Sequence, residues 1–64
     1  MQDYDLYMNP KKPRVGLYVR KGAGLPDLAD QKEWMFDGTS TQAALPPDLV
    51  KRIEADGHAF RDMD

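Results

Sequence analysis

The chain has 64 residues, a mass of 7.3 kDa, 41% hydrophobic and 31% charged residues, and a formal net charge of -2. That length admits one small domain and excludes two-domain or multi-site arrangements. With no cysteine, disulfides and thiolate metal sites are excluded, so packing or a partner must supply the stability.

The acidic balance argues against a strongly basic nucleic-acid binder, which needs several clustered phosphate contacts. Charge is nonetheless uneven along the chain. Lys11, Lys12, Arg14, Arg20 and Lys21 form a basic strip over 11–21, while Asp27, Asp30, Glu33, Asp37 and Asp48 face only Lys32 over 22–49. No apolar run approaches the roughly 18 residues of a membrane span, and the start has neither the basic nor the apolar region of a secretory signal, so a soluble cytoplasmic protein is expected.

Residues 1–13 end in two prolines separated by two lysines and read as a flexible N-terminal arm. Tyr4, Leu6 and Met8 have period-two spacing, which would also let the arm add as an edge strand. The remainder, 14–64, reads as a single α+β domain.

Arg14 to Arg20 alternates cleanly, with Val15, Leu17 and Val19 on one face and Gly16, Tyr18 and Arg20 on the other. Lys21-Gly22-Ala23-Gly24 is turn chemistry, and Leu25 to Asp30 suits one short helical turn with Pro26 presetting its φ. Glu33 to Asp37 predicts a second strand, with Trp34 and Phe36 on one face and Met35 on the other, interrupted by Gly38 and Thr39-Ser40-Thr41.

Leu45-Pro46-Pro47-Asp48 predicts a helix starting near Pro47, because proline fits the first helical position and an acid complements the positive end of the dipole. Leu49, Val50 and Ile53 form its apolar stripe and Gly57 its stop. His58 to Met63 alternates again and predicts a third strand.

These elements assemble into a two-layer β-β-α-β domain, a three-stranded antiparallel or mixed sheet of order 2-1-3 with one helix on one face. The expected core is Val15, Leu17, Val19, Trp34, Phe36, Leu49, Val50, Ile53 and Phe60, closed at one end by Leu25 and Leu28.

Chemical motifs are sparse. His58, the single histidine, follows a helix stop, where imidazoles commonly meet the last carbonyls, and it has too few co-ligands for zinc. Gly22-Ala23-Gly24 lacks the spacing of a phosphate-binding loop. Thr39, Ser40 and Thr41 have no adjacent general base, and the dispersed carboxylates read as a solvated surface. No catalytic, metal or cofactor-binding residue, no cofactor and no enzymatic activity are therefore expected.

The outer sheet face remains. Tyr18, Arg20, Met35, Arg61 and Met63 share it by parity, and Tyr4, Leu6 and Met8 of the arm could extend it. Such a mixture of aromatic, thioether and guanidinium groups suits a protein partner, so the expectation is a small intracellular interaction module, either a homodimer or an accessory subunit of another protein. The alternative is a single-stranded nucleic-acid-binding domain, in which Tyr18 stacks bases and the basic strip 11–21 holds phosphates.

Overall fold

The computed structural model describes residues 2–26 and 30–62. Its strands are β1 (Asp3–Asn9), β2 (Lys12–Arg20), β3 (Met35–Thr41) and β4 (His58–Asp62), with a 3-10 turn at Gln42–Ala44 and helix α1 (Pro47–Asp56) between β3 and β4. The expected Leu28, Met63 and the centre of the helical turn over 25–30 lie outside the described residues.

Within the arm expected over 1–13, Asp3–Asn9 is instead an inner strand, and Lys12 and Pro13 already begin β2. The sheet has four strands in the order β3-β1-β2-β4, so β1 is inserted between the two strands expected to be neighbours. Every pairing is antiparallel. With one strand more between them, β3 and β4 run in opposite directions at the two edges, and the parallel crossover expected of a three-stranded sheet does not arise. The two polar side chains that β1 buries are both hydrogen-bonded. Asn9 is buried and its Oδ1 accepts from Lys11 N at 2.9 Å, which shapes the Pro10-Lys11 turn into β2. Buried Asp5 accepts from Thr39 Oγ1 at 2.9 Å and from Gly22 N at 3.3 Å.

Both sheet partners of β1 carry irregularities. Met8 faces Gly16 whereas Asn9 faces Lys12, so Pro13 sits where β2 has no partner on β1 and its missing N–H removes no pairing there. Leu6 faces Gly38 and Tyr7 faces Phe36, leaving Asp37 as an extra residue in β3. The β3 strand thus continues through Gly38 and the Thr39-Ser40-Thr41 cluster that was expected to end it.

Helix α1 matches the expected bounds. Pro47 opens it, Asp48 stands in the first turn, and Gly57 closes it at φ 84° with its N–H donating to Ile53 O at 2.7 Å. The helix lies over the face of Tyr4, Leu6, Tyr18 and Ala59, which pack with Leu45, Leu49 and Ile53. This reverses the expected facing, in which Val15, Leu17 and Val19 met the helix. The reason is β1: its Tyr4 and Leu6 make the Tyr18 side the larger apolar surface, and burying a residue such as Ile53 in full against it contributes about 1.5–3 kcal/mol.

Leu17, Val19 and Trp34 form a second core on the opposite face, joined by Tyr7, Val15 and Leu25. Leu25 and Trp34, from the connection between β2 and β3, cover this side. Asp30 shapes the end of that connection, accepting from Lys32 N through Oδ1 at 2.9 Å and from Glu33 N and Trp34 N through its carbonyl, and this turn sets the Trp34 indole on the strands. The expected single core is therefore two, one per sheet face. Phe36 and Phe60, expected to be core, remain 59% and 41% exposed at opposite edges of the second face.

Candidate interaction surface

Among the described residues, Tyr18, Arg20, Met35 and Arg61 share one face of the sheet, and Tyr4, Leu6 and Met8 of β1 join them there, but α1 covers most of it. Tyr4, Leu6 and Tyr18 are buried there, with Tyr18 only 3% exposed. Arg20 is exposed yet committed to the helix, pairing with the Glu54 carboxylate and carbonyl. Arg61 stands opposite Gly16 on β4, away from the β3 edge. Met8 and Met35 are the two that the fold brings together on an accessible surface: they are register partners across β1 and β3, Met8 half-buried and Met35 62% exposed.

Their surroundings form an open groove of about 250 Å³, lined by Met8, Pro10, Pro13, Met35, Phe36 and Asp37. Three things build it. The β1–β2 turn contributes Pro10, the unpaired start of β2 contributes Pro13, and the extra residue Asp37 interrupts the regular pairing of β3. Phe36 stacks edge-on against Tyr7, ring centroids 5.7 Å apart, on the face opposite Met35. The exposed start of β3 thus presents a thioether on one face of the sheet and an aromatic ring on the other, with the backbone edge between them. Sequence parity had assigned Phe36 to the core. Only the position of β3 at the sheet edge leaves it accessible, and no local pattern distinguishes an edge strand from an inner one.

Two cations of the basic strip are engaged in ion pairs with acids of other segments. Lys11 pairs with Glu33 at 3.6 Å, Arg20 is held by Glu54, and the Tyr18 ring that was to stack bases is buried. Among the described residues no group of three or more His, Cys, Asp or Glu side chains is arranged to hold a metal ion, and no helix is long and apolar enough to cross a membrane.

One cluster that sequence reasoning missed is structural in character. The Tyr4 hydroxyl donates to Glu54 Oε1 at 2.8 Å, and the Arg20 guanidinium pairs with the same carboxylate. Donation from Tyr4, then from Arg20, holds the Glu54 carboxyl below the usual carboxylate range, while burial and then the Glu54 bond push the Tyr4 phenol up. A compatible acid and phenol fifty positions apart carry no signal in a single sequence.

Compared with family models, curated proteins and solved structures, the chain matches none.

Proposed function

We propose that the chain is a small intracellular protein-interaction module that receives an extended segment of a partner protein along the outer edge of β3. The observation that carries this reading is the exposure of Met35 and Phe36, 62% and 59%, on the two faces of a strand that stands at one end of the order of the described strands. An added strand gains main-chain hydrogen bonds from such an edge, and its alternating side chains pack beside those on each face. Here one apolar side chain of the partner enters the groove beside Met8 and Met35, and its neighbour lies against Phe36. Asp37 is the one charged residue of β3, so a basic residue next to the apolar pair completes the complementarity. The absence of cysteine means that no disulfide ties the fold to an oxidising compartment.

The test is a selection from a displayed library of random linear peptides, followed by mapping of the selected peptides by amide and methyl chemical shifts. Apolar-basic peptides that perturb residues 35–41 and the methyls of Met8 and Met35, and that no longer bind Met35→Lys, support the reading. Failure to enrich any peptide, or shifts centred on α1, removes it.

A further inference from the structure

The opposite edge of the sheet has a different character. We infer that two copies of this chain join through β4, antiparallel about Phe60, to make one continuous sheet of eight strands. The occupant of this edge is thus a second copy, and the inference is independent of the reading made for β3.

Symmetry limits the registers. A two-fold axis normal to the sheet pairs residues of like parity, so the centre of an antiparallel β4–β4 contact must fall on a residue. Centred on Arg61, the contact would set two guanidinium groups directly opposite each other, an unfavourable like-charge pair. Centred on Ala59, it would place His58 against Phe60 and leave Asp62 outside the strand overlap. Centred on Phe60, all five residues pair: Phe60 meets its copy, Ala59 meets Arg61, and His58 meets Asp62 twice. An imidazole N–H donates to a carboxylate whether or not the ring is charged, so both His58–Asp62 pairs are complementary.

The faces agree with this register. His58, Phe60 and Asp62 stand opposite Val19, Leu17 and Val15 of β2, which places all three on the second face of the sheet. There Phe60 already lies 5.9 Å from Trp34 and 5.8 Å edge-on from His58, ring centroid to ring centroid, while 41% of it remains exposed. A second Phe60 across the axis covers that remainder. Asp62 also takes part in an interaction within its own chain, and the two oxygens of a carboxylate accept from more than one donor. The β4 register with β2 runs without a shift, whereas the register of β3 shifts at Asp37; a regular edge is the one that pairs readily with another strand.

Sedimentation over a concentration series tests the inference, with the full chain and two variants checked for folding by circular dichroism. His58→Asp carries acids at both positions and Asp62→His carries imidazoles at both. Each alone is expected to weaken self-association about tenfold, because like groups then face each other twice. Mixed in equal amounts, the two variants should restore a dimer as tight as the wild type, since each supplies what the other lacks. A wild-type chain that stays monomeric at about 1 mM, or a mixture no tighter than its components, overturns the inference. Should a variant not fold, the wild type still decides the question. Isotope-filtered nuclear Overhauser contacts between the Phe60 rings of labelled and unlabelled copies are expected, and a dimer without them has another interface. Met35→Lys should leave this dimer unchanged, which separates its fate from that of the β3 edge.

Discussion

Tyr4 and Glu54 join the first strand to α1: the phenol donates to Oε1 at 2.8 Å across fifty positions of sequence. The bond closes the side of the helix-facing core and explains how a tyrosine can be fully buried there without leaving its hydroxyl unpaired.

Replacing Tyr4 by Phe should lower stability by about 1 kcal/mol, the usual net contribution of such a bond. It should also change the pH profile. Glu54 has a folded-state pKa below its ordinary 4.5, so its contribution is present above that value and is lost as pH falls through the folded pKa. Tyr4 is raised above 10.0, so its contribution holds below that value and is lost as pH rises. The Tyr4→Phe variant should therefore lose less stability than wild type at both extremes. Urea midpoints at about pH 3, 7 and 10.5 measure this, and profiles that run parallel would show that the bond is not formed in solution.

Ile53 is fully buried under the helix and Leu17 is fully buried on the other face of the sheet. Ile53→Ala and Leu17→Ala should each cost about 2–5 kcal/mol, comparable with the whole stability that a domain of this length commonly has. Thermal melts of both variants test the two-core arrangement. A Leu17→Ala melting point near that of wild type would mean that the Trp34 side of the sheet contributes little.

Gly57 closes the helix at φ 84° with no atom within 4 Å of where a Cβ would stand. Gly57→Ala should cost about 1 kcal/mol through backbone strain alone, and it should leave the chemical shifts of β1 to β3 in place. A neutral effect on the urea midpoint would mean that the helix end relaxes freely.

Met35→Lys should change stability by no more than about 0.5 kcal/mol, because its side chain is already mostly in water. Loss of the folded state, followed by circular dichroism, would place Met35 in the monomer's core and remove the groove from consideration as a binding surface.

The helix and three strands were legible from local pattern. Pro47 and Gly57 mark the helix ends by backbone geometry that few other residues allow, and the alternation over Val15 to Arg20 separates two side-chain sets whatever lies on either side. The same alternation grouped Tyr18, Arg20, Met35 and Arg61 on one face, as found, and spaced Tyr4, Leu6 and Met8 as a strand without placing that strand in the sheet. It carries no information about which set the helix will cover, because a period of two is symmetric between the faces.

Tertiary structure decided that question through β1. Asp3, Asp5 and Asn9 give this segment the composition of a solvated arm, and it enters the sheet because the two it buries are both satisfied: distant Thr39 and Gly22 donate to Asp5, and the adjoining turn at Lys11 donates to Asn9. Once there, Tyr4 and Leu6 enlarge the apolar surface beside Tyr18 and draw the helix to it, while Leu17 and Val19 are left for Trp34 to cover. The insertion also pushes β3 to the edge, where Met35 and Phe36 become accessible. Residue types and spacing determined the elements, but their neighbours depended on hydrogen bonds and apolar contacts between segments tens of residues apart, which local periodicity does not encode.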